Sequence, residues 1–438
     1  VTLLEPSDVD GLAGVLAQQA GLRVASIRIG FDPFDFARTG AALVDRAVAF
    51  SMPNGDQLVG LGTAWHVEAS GESRFRVVRD AVGRLSDPSL MAFLGYSFLD
   101  DPRRDGLWAD FAPTEAFVPR IGIRRVDGRS TLTIVIPEGE HPDDTLDLLA
   151  SLRKPAPIPV VDFGDHAIES LPPVARWVEL VADAVKAIGA GELDKVVLAR
   201  SVRVESSEPV AILRVFRQLV ASYPQCYNFA WKSGGSVVMG ASPELLAEVR
   251  QGRFRSNPLA GSAARGEGED DDLAMGLTLL SSAKDRREHA LVVDDMTNRL
   301  AGLVGELAVP RTPSLKKMAT VQHLSTEITG SAPDGFTVLD AVDALHPTPA
   351  VAGVPTTEAI GYIAENEQLE RGWYTGGVGW MAPDGDGTVA IALRCGLVNE
   401  ATTHLFAGAG IVADSDPGAE LQETRLKLRP LLDLVAST

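Results

Sequence analysis

Cysteine is nearly absent: Cys226 and Cys395 are the only two in 438 residues. Two thiols cannot build a disulfide framework or a Cys-rich zinc site, and a reducing cytoplasm is the simplest expectation. Long apolar runs are missing as well. No stretch approaches the ~20 apolar residues needed to cross a bilayer. The opening VTLLEPSDVD has no basic segment followed by an apolar run, so no secretory signal is visible. Positive charge is in deficit, with 40 Lys and Arg against 59 Asp and Glu and a formal charge of −19. That argues against nucleic acid and anionic membrane as partners, since both are bound through basic patches. An acidic chain that binds an anion has to gather positive charge, metal and backbone N–H groups in one cleft.

What is present is ordinary for a globular enzyme, 45% hydrophobic and 23% charged. No internal repeat of solenoid period occurs. Residues 1–150 read as mixed α and β, with strand-like runs at 57–69, 91–100, 116–125 and 130–137 and no catalytic constellation. The Pro-rich KPAPIPVVDFGD (154–165) is a linker candidate that divides the chain into 1–165 and 166–438. Beyond it, Pro172 and Pro173 followed by Val174, Trp177, Val181, Ala184 and Ile188 at helical spacing predict a helix that Gly189 and Gly191 can stop. KVVLARSVRV from Lys195 predicts a strand, and SVVMGASPELLAEV (236–249) predicts strand, turn, strand. ARGEGEDDDL (264–273) reads as a solvated loop and 284–308 as one long helix. TVAIALRCGLV (388–398) and THLFAGAGIV (403–412) read as strands, and 419–435 as an amphipathic helix with Leu421, Leu428, Leu431, Leu432 and Val435 on its core face. Strands and helices without regular βαβ alternation give an α+β class.

Five features carry chemistry, each with a plainer reading beside it. The last helix places Glu420, Glu423 and Lys427 at i, i+3 and i+7, on one face. Neighbouring like charges cost a few tenths of a kcal/mol; a solvated face with a Glu423–Lys427 pair explains them, and so does a bound cation. A second helix offers Asp285, Glu288 and His289 at i, i+3 and i+4. Two such helices can hold one hard cation through oxygen ligands, and Mg²⁺ suits because it takes few protein carboxylates and keeps water or substrate oxygens. In FAGAGIV, Gly408 and Gly410 either make a tight turn or let backbone N–H groups approach an anion; the third glycine and βαβ pattern of a dinucleotide site are missing. Lys195 is either solvated or a base, if burial or a nearby cation strips its proton. Glu244, after Ser-Pro in an apolar run, is a candidate for the partial burial that suits a carboxyl to general-acid work.

Order along the chain adds what single features lack. LDKVVLARS, MGASPELL, NPLAGSAARG, KDRREHALVVDDM, VQHLST, HPTPAVAGVP, RGWYTGGVGW, IALRC, FAGAGIV and ETRLKL follow one another between roughly residues 170 and 433. This series resembles the consecutive motifs of the chorismate-utilising enzymes: isochorismate synthases, salicylate synthases, anthranilate synthase component I and aminodeoxychorismate synthase component I. The resemblance implies a large antiparallel β core wrapped by helices, with the active site mostly in the C-terminal half and 1–165 completing the same fold.

It also implies roles. Glu288 and Glu423 would bind Mg²⁺, with Asp285 and Glu420 behind them or bound through water. The cation would hold the ring carboxylate of chorismate, and Lys427 would add charge nearby. Gly408 and Gly410 would offer N–H donors to a substrate carboxylate, while Arg394 and Tyr374 would grip the enolpyruvyl carboxylate. Ser262 is an expected polar contact. His323 would lie near the ring and the leaving group, a structural histidine being the alternative. Chemistry in the family starts with a nucleophile at ring C2 and loss of the C4 hydroxyl. Glu244 matches the general acid, and Lys195 matches the base that activates water.

Two positions bear on the branch. Lys195 argues against anthranilate synthase, which uses ammonia and lacks that lysine. Ala350, in HPTPAVAGVP, matches the isochorismate synthases, where the salicylate, anthranilate and aminodeoxychorismate branches typically carry Thr; a packing residue is the plainer reading. The expected enzyme is a Mg²⁺-dependent isochorismate synthase, monomeric and cytoplasmic. Salicylate synthase, aminodeoxychorismate or anthranilate synthase component I, and a non-catalytic chorismate-binding protein are the alternatives. The chain has no glutamine amidotransferase signature. Isochorismate feeds menaquinone, catecholate siderophores and salicylate, and the long N-terminal half leans toward menaquinone.

Overall fold

In the computed structural model, residues 3–19, 21–102, 105–153 and 165–436 are described; the linker candidate lies almost wholly outside them, at 154–164. Period-two alternation lays out the strands. Along Tyr227–Ser233, Tyr227, Phe229 and Trp231 point into one apolar cluster and Ala230 into another on the opposite face. A twelve-stranded sheet runs Arg23–Ile29, Arg129–Ile136, Ile121–Val126, Gln57–Leu61, Arg46–Ser51, Tyr227–Ser233, Ser236–Ser242, Cys395–Asn399, Thr402–Ile411, Lys195–Ser206, Gly353–Val354, with His166–Leu171 also paired to Lys195–Ser206. A nine-stranded sheet runs from Gly305–Ala308 through Ile328–Ser331, Arg253–Asn257, Leu245–Arg250, Gly387–Ile391, Gly377–Met381, Ala92–Tyr96 and Thr114–Val118 to Trp65–Ala69. Leu259–Ala264, Val321–Ser325 and Ser314–Lys317 form a third, smaller sheet. All pairings between these strands are antiparallel.

Aromatics are scarce, yet they concentrate between the two large sheets. Phe50, Phe229, Trp231 and Phe406 from the first meet Phe93, Phe117 and Trp380 from the second. Trp231 and Trp373 rings meet edge-on at 5.0 Å, a preferred arrangement for aromatic quadrupoles. Helices cover the outer faces. Val174–Gly189 buries Trp177, Leu180, Val181, Ala184 and Ile188, and Pro417–Val435 buries Leu421, Leu428, Leu431 and Val435. Large antiparallel sheets wrapped by helices match the expected α+β architecture.

Several local expectations need correction. The 57–69 run is two strands, Gln57–Leu61 and Trp65–Ala69, in different sheets, broken after Gly62 at φ 65°. The 284–308 helix ends at Leu300; Gly302 at φ 82° turns the chain, and Gly305–Ala308 pairs as a strand with Ile328–Ser331. Only 265–268 of the 264–273 run is loop, because Ala264 ends the Leu259–Ala264 strand and Glu269–Ser281 is a helix. Its acidic residues fill the first turn, where the helix dipole favours them, and Asp272 is buried against Arg265 and Lys317. The 388–398 run divides into Gly387–Ile391 and Cys395–Asn399, one strand in each large sheet. The crossing passes through Arg394, whose φ of 49° is a left-handed value uncommon for a non-glycine residue.

Candidate active site

Where the crossing at Arg394 meets the open edge of Thr402–Ile411, the chain encloses a small cavity of about 60 Å³. Its walls include Glu244, Ser262, Glu288, His323, Ala350, Tyr374, Arg394, Gly408, Gly410, Glu423 and Lys427. Lys195 is not on the wall. It is fully buried behind it, with Nζ 3.0 Å from Glu288 Oε1. Asp285 and Glu420 line an adjoining depression of about 370 Å³ that shares Ser262, Glu423 and Lys427 with the cavity. A larger groove of about 610 Å³, lined by Arg124 and Trp380 among others, contains none of these residues.

Register explains the glycines. Gly408 pairs with Ala199 and Gly410 with Val197. Val197 spends its N–H on Ala352 O, and the Ala199 N–H goes to Glu367 Oε2 at 2.7 Å. Both residues therefore turn their backbone groups away from Thr402–Ile411, as in a non-hydrogen-bonded antiparallel pair. The N–H groups of Gly408 and Gly410 accordingly face the strand's open edge, beside the cavity, and Gly408 O accepts from Lys427 Nζ at 2.9 Å. FAGAGI, up to Ile411, is thus continuous strand, not a turn. A Cβ at Gly410 would collide with Glu288 Oε1 and stand 2.9 Å from Lys195 Cε, so the glycine leaves room for that pair.

Glu244 follows the Ser236–Ser242 strand and is almost wholly buried. Burial pushes its carboxyl up to about 7; the Leu259 N–H and the charges of Lys195, Lys316 and Arg394 pull the other way and lose. Lys316 Nζ donates to Pro243 O at 2.6 Å, immediately beside it. His323 Nδ1 lies 3.1 Å from Ser262 Oγ and 3.2 Å from Gly261 O. The carbonyl can only accept, so Nδ1 carries the proton, and Nε2 accepts from Arg394 Nη2 at 3.1 Å. Burial, then the Arg394 charge, holds His323 well below the usual histidine value. Burial likewise lowers Arg394 and raises Tyr374, whose ring stacks on Phe406 at 5.3 Å.

The four helical carboxylates each have a counter-group. Glu288 pairs with Lys195, and Glu423 with Lys427 at 2.6 Å. Glu420 pairs with Lys284 at 3.1 Å and accepts from Ser415 Oγ at 2.7 Å, and Asp285 accepts from Ser282 Oγ. Burial works against the charge of Glu423, yet Lys427 holds it below the usual carboxylate range. Burial and Glu423 raise Glu420. His289 faces Thr326 Oγ1 at 2.7 Å instead of joining the carboxylates. Among the described residues, three ligand-type groups mutually within 4.8 Å occur elsewhere, at His66, Glu68 and Glu115. There Arg46 Nη2 sits 2.9 Å from the Glu115 oxygen that His66 approaches, so the cluster is an ion-pair network. Glu288 and Glu423 both line the cavity wall and offer the oxygen donors that a hard cation takes, each now paired with a lysine.

Two cavity-side features lay beyond the sequence reading. Thr375 lines the wall at φ 64°, and Arg371 with Glu367 lies behind it as a buried pair. The i,i+4 spacing of Glu367 and Arg371, with Arg371 opening the motif that holds Tyr374, was the available signal.

A cavity that combines carboxylates, a lysine, a buried arginine and a carboxyl raised toward neutrality suits a small anionic ligand. A family model described as chorismate binding enzyme matches residues 17–436, and the chain belongs to that family. Isochorismate synthase MenF of Bacillus subtilis (strain 168) is 34% identical over 345 residues, 78% of this chain and 73% of its own length. The salicylate biosynthesis isochorismate synthase of Pseudomonas aeruginosa is 33% identical over 398 residues, 86% of this chain and 82% of its own. The solved structure of MenF, the menaquinone-specific isochorismate synthase from Escherichia coli, superposes with a TM-score of 0.84 at 27% identity, over 98% of this chain and 99% of that one. The expected family and fold both hold. No helix among the described residues is long and apolar enough to cross a membrane.

Proposed function

We propose that this enzyme is an isochorismate synthase, adding water to C2 of chorismate as the C4 hydroxyl departs. The observation that carries the reading is Glu244: a cavity-lining carboxyl pushed up to about 7 by burial, holding a proton near neutrality. Hydroxide is a poor leaving group, and a protonated carboxyl can give it the proton it needs. Water enters and water leaves, so the reaction is an isomerisation. Lys195 is the base that takes the proton of the entering water. Each proton-transfer partner contributes roughly 10²–10⁴ in rate.

Glu288 and Glu423 would hold Mg²⁺, with Asp285 and Glu420 behind them. When bound, the ion would neutralise and anchor a substrate carboxylate. Arg394, whose Nη2 donates to His323, and Tyr374 would grip a second carboxylate, and the N–H groups of Gly408 and Gly410 would supply further donors. Ala350 presents only a methyl group to the cavity, which supports water addition over the branches with a hydroxyl at the matching place. The relatives named as isochorismate synthases support the same assignment. The decisive experiment incubates purified protein with chorismate and Mg²⁺, without ammonia, and separates the products by chromatography. Isochorismate as the product is expected; salicylate with pyruvate alone, or no product until ammonia is added, would overturn the reading.

A further inference from the structure

Behind the cavity wall, Arg371 is buried with all five of its N–H donors engaged. Nε donates to Glu367 Oε1 at 2.6 Å and Nη2 to Glu367 Oε2 at 2.7 Å, a planar fork-to-fork pair. Nη2 also reaches Val197 O at 2.8 Å. Nη1 reaches Val351 O at 2.9 Å and Thr375 Oγ1 at 3.5 Å. Glu367 completes the set by accepting the Ala199 N–H. The guanidinium lies over the Phe98 ring at 4.4 Å.

Val197, Val351 and Thr375 themselves line the cavity, and Ala199 lies two residues beyond Val197. Val197 follows Lys195 by two residues and pairs with Gly410; Ala199 pairs with Gly408. Val351 follows Ala350, and Thr375 follows Tyr374. Thr375 is also a β-branched residue at φ 64°, a conformation that persists only where its surroundings enforce it. The ion pair therefore joins three backbone segments, otherwise distant in sequence, into one wall.

We propose that Arg371 and Glu367 are positioning residues for the reaction, fixing the Lys195–Ala199, Ala350–Val351 and Tyr374–Thr375 segments relative to one another so that the clasp governs the chemical step more than substrate binding. The inference rests on the chorismate reading of the cavity. Lysine keeps the charge of Arg371 but cannot reproduce the planar five-donor fork. Arg371→Lys is expected to lower kcat by about ten- to a hundredfold, the scale of a misplacement near 1 Å, with KM for chorismate changed less than about threefold. Glu367→Gln is expected to act in the same direction. In Arg371→Ala, guanidinium chloride at low millimolar concentration should restore part of kcat, and methylammonium or sodium chloride should not. Circular dichroism and thermal melts on the same samples give the folded fraction. Lys and Gln variants with kcat within twofold of wild type, or losses that merely follow the unfolded fraction, would overturn the proposal. The wild-type product assay separates the two ideas. If the wild-type enzyme makes a different chorismate product, the functional reading falls, while the clasp is still judged by kcat for that product.

Discussion

Lys195 Nζ and Glu288 Oε1 are 3.0 Å apart, and the space they occupy exists because residue 410 is glycine. The pair links the Lys195–Ser206 strand to the Ala283–Leu300 helix, so the proposed base and a proposed metal ligand share one position. Gly410→Ala forces a Cβ into that space. It is expected to displace one or both groups and lower kcat by at least about tenfold, with an overpacking cost of roughly 1–3 kcal/mol. Steady-state kinetics beside a thermal melt read the two effects separately. A fully active, fully stable Gly410→Ala enzyme would show that the pair is free to move without consequence.

Glu244 gives a pH prediction with a definite sign. Its folded value near 7 lies above the ordinary 4.5, so the folded state keeps a proton that the unfolded chain has already released. Between about pH 4.5 and 7 the native state therefore binds more protons, and stability falls as pH rises through that window, by roughly 3 kcal/mol in all. Glu244→Gln removes the ionisation. It is expected to melt at a higher temperature than wild type at pH 8, with the gap closing by pH 4, and to lose the activity that needs the acid. In the wild type, kcat/KM is expected to fall as pH rises through about 7. A wild-type rate in the Gln variant would remove Glu244 from the role of acid.

The proposed cation site can be read without turnover. Mg²⁺ added to wild-type protein is expected to raise the melting temperature, since an ion bound only by the native state at ten times its Kd stabilises by about 1.4 kcal/mol. Glu288→Gln and Glu423→Gln should each abolish that shift. Glu423→Gln also strands Lys427, which now pairs with Glu423 at 2.6 Å, so its metal-free melt should already differ from wild type. A Mg²⁺-induced shift that survives both substitutions would place the ion elsewhere.

Much of this architecture could be read from the chain, and the misreadings share a cause. Alternation and helical spacing located the Val174–Gly189 and Pro417–Val435 helices because each buries one continuous apolar stripe. They failed where a backbone turn, with no change of hydrophobicity, divides a run: at Gly62, Gly302 and Arg394 the composition stays the same while φ becomes positive. Most groups named from the motifs converge on one cavity, with Lys195 behind its wall and Asp285 and Glu420 in the adjoining depression. Burial of Glu244 followed from its apolar neighbours. The Arg371–Glu367 pair left only its i,i+4 spacing in the sequence, because the carbonyls of Val197 and Val351 that it also holds are backbone acceptors and leave no mark there.

Ala350 offers the sharpest test of which chemistry the cavity runs. The residue lines a cavity of about 60 Å³, and the carbonyl of its neighbour Val351 is held by Arg371, so the segment cannot easily retreat from a larger side chain. Threonine adds both volume and a hydroxyl, and valine adds similar volume without the hydroxyl. If volume alone matters, Ala350→Thr and Ala350→Val should slow isochorismate formation alike and leave the product unchanged. The proposal that the hydroxyl redirects substrate or nucleophile predicts a difference. Only the Thr variant should alter the product mixture, toward salicylate and pyruvate or toward amination when ammonia is supplied. Chromatography of the products of both variants, with and without ammonia, decides between them. Identical product profiles from Thr and Val would reduce Ala350 to a packing residue and leave Lys195 and Glu244 as the features that select water.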